Sequence, residues 1–260
     1  ESVMARANIC SRFAERILIE VGTFRATTFT ELFDNVRALP FERYIAKTDA
    51  FPVKGWSLNS KLHSVPDCQS IIKKAVVNRL SEKYGISWFE ETGSKVQIQF
   101  SIMKDNVSVM IDTSGAGLHK RGYRKDANEA PIKETLAAAM AQVARIYPDT
   151  KLYDPCCGSG TVLIEAAMMA NNIAPGIKRY FACERFHFVG EDVFKKEREK
   201  ALDEIKRTKD FVGVGSDIDS EALLVAENNA RLAGVSDNLT FVQKDVRDFE
   251  PSGERGLVIT

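Results

Sequence analysis

Apolar and polar positions alternate in short runs through the first half of the chain, and this period of two is typical of half-buried strands. Two of the runs flank Lys104-Asp-Asn106, which predicts a β-hairpin. A capping pattern at Ser64 opens a helix whose apolar stripe is Ile72, Val76 and Leu80. The first half is therefore predicted to be of α+β class, with strands at 16–21, 96–102 and 107–111 and helices at 28–39 and 64–85.

In the second half, helical periodicity alternates with short apolar strands, and this order predicts a parallel, doubly wound sheet. Its first helix is expected from about Pro131, because a proline suits the first turn. The stretch 172–210 is too long for a plain connection and is interpreted as an insertion, with a charged, solvated helix at 191–209. The apolar face of the first helix is predicted to be Ile132, Leu136, Met140 (or Ala139), Val143 and Ile146, and the later elements are strands 151–154, 211–217, 239–243 and 257–260 and helices 161–171 and 220–233.

Glycines and cations replace the apolar pattern from Asp112 to Asp126, and this change places the domain boundary. We predict a first domain at 1–112, a linking segment at 113–130 that covers a ligand pocket, and a second domain at 131–260 that is incomplete at its C-terminus. Two domains suit a chain of 260 residues.

Composition and charge narrow the class of protein. The 36 basic residues balance the 36 acidic ones, so contact with nucleic acid would depend on local basic patches. No run of eighteen apolar residues and no signal peptide is visible, so a cytoplasmic location is expected. The five cysteines show no metal-binding spacing, and we expect no metal. Because residue 1 is Glu and the chain stops at the strand-like run Gly256–Thr260, we expect a fragment of a longer protein.

The segment Asp154-Pro-Cys-Cys-Gly-Ser-Gly-Thr161 carries the clearest chemical signal, because it leaves a predicted strand and opens a predicted helix. Gly158 and Gly160 permit backbone angles and a close ligand approach that a Cβ would obstruct. The unpaired N–H groups at the start of the helix favour a ligand carboxylate. Taken alone, the two glycines could equally form a tight turn without a ligand.

Acidic residues follow the next two strands. Asp217 ends the second strand, where a carboxylate can accept both hydroxyls of a ribose. Asp245 follows the third strand, where it could accept the amino group of an adenine ring beside Val246, although alone it would be a loop residue. Asp219 is interpreted as a helix N-cap. NAD is disfavoured, because the glycine motif is incomplete and Asp217 lies far more than about 20 residues beyond it.

At this point the sequence resembles the THUMP-containing ribosomal-RNA guanine-N2 methyltransferases, whose members are often labelled N6-adenine-specific DNA methylases. The segments Asp154–Ala166, Gly117–Arg124 and Ala130–Ala137 carry the resemblance, and residues up to about 112 resemble a THUMP domain. The resemblance implies S-adenosylmethionine as cofactor and a Rossmann-like catalytic domain. The implied cofactor-binding residues are Asp154, Cys156, Gly158, Ser159, Gly160, Thr161, Glu134, Thr135, Asp217, Ile218, Asp245 and Val246.

The family continues its fourth strand into an Asn/Asp-Pro-Pro-Tyr/Phe motif that holds the target amino group. That motif is expected beyond Thr260, so the catalytic residues stay unassigned and this chain is expected to bind cofactor without turnover. The leading hypothesis is methyl transfer to the N2 of a guanine in large-subunit ribosomal RNA. The alternatives are methylation of adenine N6 in DNA or RNA, and a non-catalytic RNA-binding module with an empty cofactor site.

Two basic segments are candidate RNA contacts. His119–Lys125 combines cations with an aromatic ring, which suits phosphate contact and base stacking, although it could equally be a solvated linker over the cofactor pocket. The basic face of helix 64–85 is weaker, because a charged helix face is usually only solvated. The candidate RNA-binding residues are Lys120, Arg121, Tyr123, Arg124, Lys73 and Lys74.

Overall fold

A computed structural model describes residues 1–124, 132–250 and 256–260, and the chain divides into two compact units. Unit one comprises Glu1, 16–116 and 181–193, and unit two comprises 2–15, 117–180 and 194–260. The expected domain limits at residues 112 and 130 stay predictions. The expected helix start at Pro131, Lys125 of the basic segment and residues 125–130 of the linking segment lie outside the described residues.

Unit one contains the four strands β1 (Leu18–Arg25), β2 (Val53–Leu58), β3 (Ile98–Met103) and β4 (Asn106–Asp112), which form one sheet in the order β1-β4-β3-β2. The first strand pairs antiparallel with the fourth and the fourth with the third, whereas the second and third are parallel. The predicted hairpin is confirmed, with a turn at Lys104 and Asp105. The helices of unit one are α2 (Phe29–Ala38) and α3 (Val65–Tyr84), and α1 (Ser2–Cys10) precedes them as part of unit two.

The core of unit one lies on one face of this sheet. Alternate residues of β3 and β4 are fully buried, and α3 packs on β2 with its predicted stripe inward. The α2 helix begins with a capping box between Thr28 and Glu31. The Ser64 side chain, by contrast, makes no capping hydrogen bond to α3, which has Pro66 in its first turn and ends at Gly85 with φ +66°. The fully buried residues on the core face are Ile72, Val76, Leu80, Ile98, Phe100, Ile102, Val107, Val109 and Ile111.

Unit two contains the four strands β5 (Lys151–Asp154), β6 (Val212–Asp217), β7 (Leu239–Gln243) and β8 (Leu257–Val258), which form a parallel sheet in the order β7-β6-β5-β8, as the alternating pattern predicts. The chain moves outward from β5 through β6 to β7 and then returns to the other side of β5. This reversal creates a switch point, and ligands bind at such points outside the carboxyl ends of the strands. The helices that accompany these strands are α4 (Glu134–Val143), α5 (Thr161–Ala170), α6 (Val193–Asp203) and α7 (Ser220–Ala233).

The predicted apolar face of α4 is wrong at Leu136 and Val143, whereas Ile146, just beyond the helix, packs against the core as predicted. Leu136 and Val143 are 55% and 83% exposed, and the buried residues are Glu134, Thr135 and three alanines. The helix packs on α5, which also presents alanines, and small side chains allow two helices to approach closely. Close approach of the backbones thus outweighs burial of the larger apolar side chains.

The charged segment 191–209 is only partly the solvated helix that was expected. Its helix, α6, is shorter and buries Phe194, Glu197 and Ala201. Glu197 is 3% exposed and forms ion pairs with Arg6 and Lys200. The insertion therefore contributes buried surface to unit two. Among the described residues, no helix is long and apolar enough to cross a membrane.

Candidate cofactor and substrate site

The glycine loop joins β5 to α5 at the carboxyl edge of the parallel sheet. It contains Cys156, whose side chain is exposed, and Cys157, whose side chain is buried. Burial raises the pKa of the Cys157 thiol to about 12, so this sulfur stays protonated and packs in the core. The backbone N–H of Cys157 donates to the carbonyl of Ser216 at 2.9 Å, which ties the loop to β6.

The two glycines of the loop have different physical roles. Gly158 has φ +50°, and a Cβ built on it would meet nothing within 4 Å, so its backbone faces open space. Gly160 has φ +75°, and a Cβ there would lie 3.1 Å from the Cβ of Ala226 and from the ring of Phe241. Gly160 is therefore required by packing as well as by its backbone angle, whereas Gly158 leaves room for a ligand.

Asp217 at the end of β6 reaches the same loop. Its Oδ2 accepts the backbone N–H of Gly158 at 2.9 Å, and its Oδ1 accepts the N–H of Asp219 at 3.0 Å. Each oxygen keeps a further lone pair, and the side chain is half-buried. The carboxylate is thus fixed in orientation and still able to accept hydrogen bonds. Asp219 caps α7 through the N–H of Glu221 at 2.9 Å, as predicted.

Asp154 ends β5 beneath the loop and is 3% exposed. Burial raises its pKa from 3.8 to about 6, and the nearby charge of Asp217 acts in the same direction. Hydrogen bonds with the N–H of Cys156, at 3.2 Å, and with the side chain of Thr260 oppose this shift. Asp154 therefore lies at the junction of β5, the glycine loop and the end of β8.

The start of α4 lies over the start of α5, and Arg124 connects the two. Its guanidinium donates to the hydroxyl of Thr161 and to the carbonyl of Ile132, the latter at 3.2 Å, and lies 3.5 Å from a carboxylate oxygen of Glu134. Glu134 and Thr135 are 4% and 9% exposed. The structure thus brings Glu134 to the glycine loop, although the sequence separates them by more than twenty residues.

The carboxyl ends of β6 and β7 meet next to Asp217. The N–H of Lys244 donates to the carbonyl of Asp217 at 3.0 Å. Ile218 and Val246 are 68% and 48% exposed, which leaves two apolar side chains at this edge. Asp245 caps the turn that follows β7, and its hydrogen bonds from Arg247 lower the pKa of its carboxyl. Arg247 thus contacts both oxygens of the carboxylate for which an adenine contact is expected, and that role of Asp245 stays a prediction.

Burial overturns part of the predicted RNA surface. Arg121 and Tyr123 are 3% and 4% exposed, and both donate hydrogen bonds to Glu165, which is fully buried. Burial raises the pKa of the Tyr123 hydroxyl well above its ordinary value. These two residues, and Arg124 through its bonds to Thr161 and Glu134, hold unit two together and offer no surface for RNA. Of this group, Lys120 alone is exposed.

On α3, the two candidate lysines differ in the same way. The Nζ of Lys73 donates to the carbonyl of Phe51 at 3.1 Å and to Glu91 at 2.5 Å, and it lies 3.4 Å from the centroid of the Phe51 ring. The ammonium charge of Lys73 is therefore neutralised within unit one and is not free for a phosphate. Lys74 is exposed and stays a candidate for phosphate contact.

The role of Glu165 as the shared hydrogen-bond acceptor of Arg121 and Tyr123 was not predicted from the sequence. Its carboxylate lies 3.3 Å from Arg121, and Arg12, whose pKa burial lowers, contributes a second positive charge nearby. Arg12 and Arg121 belong to the segments 2–15 and 117–124, so one acid connects both to α5. A lone acid within the apolar helix Thr161–Ala170 was the available signal, because buried carboxylates need partners.

Comparisons with known proteins agree with this arrangement. Residues 26–112 match the THUMP domain family, and residues 121–260 match the family described as UPF0020, RMKL-like, methyltransferase domain. The "Putative RNA methyltransferase YpsC" of Bacillus subtilis is 43% identical over 258 residues, which are 98% of this chain and 67% of that protein.

Two solved structures share the architecture over 99% of this chain and 68% of their own lengths. One is described as a predicted N6-adenine-specific DNA methylase from Listeria monocytogenes, with 48% identity and a TM-score of 0.94. The other is SMU.472, described as a putative methyltransferase complexed with SAH, with 40% identity and a TM-score of 0.90. The chain belongs to the RMKL-like methyltransferase family, with a THUMP domain in front of the methyltransferase domain.

Proposed function

We propose that this chain transfers a methyl group from S-adenosylmethionine to the exocyclic N2 of a guanine in large-subunit ribosomal RNA. S-adenosylmethionine is the cofactor that membership of this methyltransferase family implies. The THUMP domain and the RNA methyltransferase named among the relatives support RNA as the substrate class. The choice of ribosomal guanine follows from the sequence resemblance described above.

The observation that carries the proposal is the fixed Asp217 carboxylate beside the open backbone of Gly158. A ribose diol needs an acceptor held at the end of the second strand, and Asp217 keeps unused lone pairs there. The start of α5 offers unpaired N–H groups to a carboxylate such as that of the methionine part. The exposed Ile218 and Val246 would flank the adenine, so the residues present fit the cofactor.

When bound, the cofactor supplies an electrophilic methyl group. The role of this chain is then to hold that methyl in line with the substrate amine, because alignment provides most of the acceleration in such a transfer. Two backbone N–H groups tie the loop of Gly158 to β6, since the N–H of Cys157 donates to the carbonyl of Ser216 and the N–H of Gly158 donates to the side-chain carboxylate of Asp217. This bracing limits movement of the site relative to the sheet. The target base must leave its stack to reach the site.

Lys74 and Lys120 are the members of the predicted RNA set that the structure leaves exposed, and we retain them as proposed phosphate contacts. Phosphate contacts of this kind position RNA without reading its sequence. Residues other than Lys74 and Lys120 must therefore select the base that is modified.

Isothermal titration with S-adenosylhomocysteine tests the cofactor site without requiring a substrate. We expect saturable one-to-one binding to the 260-residue chain and loss of that binding in Asp217→Ala. Asp219→Asn is the matched control, because asparagine is an equally good N-cap and α7 keeps its start. Equal losses of stability and binding in Asp217→Ala would make Asp217 a structural residue and contradict the assignment.

Methylation of adenine N6 is the second candidate, because a structure with 48% identity is described as an adenine-specific methylase. Nuclease digestion of RNA and DNA, after incubation with radiolabelled S-adenosylmethionine and a protein extended to the full length of the relatives, separates guanine N2 from adenine N6 as the target. Label in N2-methylguanosine supports the proposal, and label in an N6-methyladenine nucleoside supports the alternative. A folded chain that binds no cofactor would instead favour the non-catalytic RNA-binding module.

A further inference from the structure

The second face of the sheet in unit one carries exposed apolar side chains. Alternate residues of β2 point away from the core, and Trp56 and Leu58 are 44% and 53% exposed. In the parallel register, Leu58 lies opposite Met103, which is 49% exposed, and Trp56 lies opposite Ser101. Because neighbouring strands lie about 4.8 Å apart, the three apolar side chains form one patch.

Leaving this patch in water costs free energy, since burial of a large apolar side chain is favourable. Isolated exposed apolar residues need no explanation, but adjacent ones on one sheet face indicate a binding surface. The rest of this face on the paired strands is mainly polar, with Ser101, Ser108, Gln99 and Glu20, and its further apolar side chain, Met110, is half-buried. The sheet therefore presents a flat surface with one large aromatic ring.

Four cations surround the patch. Lys54 precedes Trp56 on the same face of β2 and is exposed. Lys104, in the hairpin turn, donates its N–H to the carbonyl of Leu58 at 3.3 Å, and the N–H of Lys61 donates to the Oδ1 of Asp105 at 2.8 Å. Arg25 ends β1, is 74% exposed, and lies 4.0 Å from Asp105. Among the described residues, the lysines at 54, 61 and 104 form no ion pair.

We propose that this face binds a single-stranded segment of RNA, with an unpaired base stacked on the indole of Trp56. Leu58 and Met103 would contact the edge of the stacked base, and the four cations would contact the phosphates on either side. Flat sheets with exposed aromatic rings and a basic rim bind single-stranded nucleic acid in this way. The inference rests on the proposed function, because it assumes that the substrate is RNA.

RNA fits this surface better than a second copy of the chain does. A symmetric contact between two copies would bring the cations of both copies together around a small apolar patch, and like charges repel. A polyanion with flat apolar bases complements both the charge and the shape. The edge strand β2 could also pair with another chain, and this outcome is part of the test.

The chain contains two tryptophans, and the second is a matched control. Trp88 is 79% exposed but lies outside the sheet, in the loop after α3. Binding of a fluorescein-labelled twelve-nucleotide single-stranded RNA is measured by anisotropy for the parent chain, Trp56→Ala, Trp56→Phe and Trp88→Ala. We expect Trp56→Ala to weaken binding about 10-fold, Trp56→Phe to restore most of it, and Trp88→Ala to change it less than about 2-fold.

A second measurement uses the Trp88→Phe variant, in which Trp56 is the one remaining indole. Its fluorescence should be quenched by the single-stranded RNA and much less by a duplex of the same length, because bases in a duplex are already stacked. Equal affinities of Trp56→Ala and the parent chain, or no RNA binding by the folded parent chain, would overturn the inference. A parent dimer that Trp56→Ala converts to a monomer would also overturn it, in favour of self-association.

Failure of the proposed methyl transfer and failure of this RNA-binding surface give different results in these assays. A chain that binds no S-adenosylhomocysteine but loses RNA affinity in Trp56→Ala would retain this surface and lose the enzymatic assignment. A chain that binds the cofactor, but whose RNA affinity is the same in Trp56→Ala and in the parent, would retain the enzymatic assignment and lose this RNA-binding surface.

Discussion

Replacement of Asp154 by asparagine separates the electrostatic cost of this residue from its hydrogen bonds. The two side chains have the same shape, and the amide oxygen can still accept the N–H of Cys156. Burial raises the pKa of Asp154 from 3.8 to about 6, so the folded state favours the protonated form. The charge is therefore an unfavourable contribution to stability at neutral pH.

The magnitude follows from linkage between protonation and folding. Each unit of pKa difference corresponds to about 1.4 kcal/mol, so a rise of about two units corresponds to ~3 kcal/mol. Below about pH 4 the residue is protonated in both states, and its stabilising contribution is fully present. As the pH rises through about 6, the folded state also loses the proton and that contribution is lost. Asp154→Asn should therefore stabilise the chain by up to ~3 kcal/mol at pH 8 and hardly at all at pH 4.

Urea denaturation at several pH values, followed by circular dichroism, measures this difference between variant and parent. Tryptophan fluorescence serves as an internal control, because Trp56 and Trp88 both belong to unit one and should report an unchanged transition. Asp219→Asn is the control for the substitution itself, since it keeps the cap of α7. A shift for Asp154→Asn that is independent of pH, or a loss of stability at pH 8, would refute the reasoning.

Two further perturbations test the packing of unit two. Gly160→Ala should cost about 1–3 kcal/mol of unfolding free energy, because its Cβ would lie 3.1 Å from Ala226 at a positive φ, whereas Gly158→Ala should cost about 1 kcal/mol and mainly abolish binding of S-adenosylhomocysteine. Urea denaturation and calorimetric titration of both variants check this, and the opposite ranking of stabilities would contradict it. Glu165→Ala should cost about 3–5 kcal/mol, because it leaves Arg121 buried without its acid. Glu204→Ala, which breaks an ion pair exposed on both sides, should cost under about 1 kcal/mol in the same denaturation assay, and similar losses for both would show that burial is not the cause.

The sheet of unit two was predictable from the sequence because several local signals coincide there. The bounds of β5, α7 and β7 match the prediction, since strong apolar runs are bounded by clear caps such as Asp219 and Gly234. The position of Asp217 beside the glycine loop also follows from order alone, because parallel strands bring their carboxyl ends to one edge. Local pattern and global topology agree in this region.

Features that depend on tertiary packing were not predictable. The sequence of α4 favours Leu136 and Val143 as buried residues, but approach of α5 buries the alanines instead. The cations near 120 suggest a solvated patch, yet Arg121 is buried against Glu165 at 3.3 Å. Partners far apart in sequence decide both cases, and neither periodicity nor composition encodes such partners.

The α1 helix has a consequence for synthesis of the protein on the ribosome. Its buried residues, including Ala5 and Ile9, belong to unit two, and the N–H of Gly176 donates to the carbonyl of Ile9 at 2.8 Å. Arg6 finds its partner, Glu204, 198 positions later. At about 5–20 residues per second, the ribosome needs on the order of 10–40 seconds to make that stretch. Throughout this interval Arg6 lacks Glu204, whereas both main segments of unit one, 16–116 and 181–193, are synthesised before Glu204, so unit one can fold before α1 obtains this ion pair.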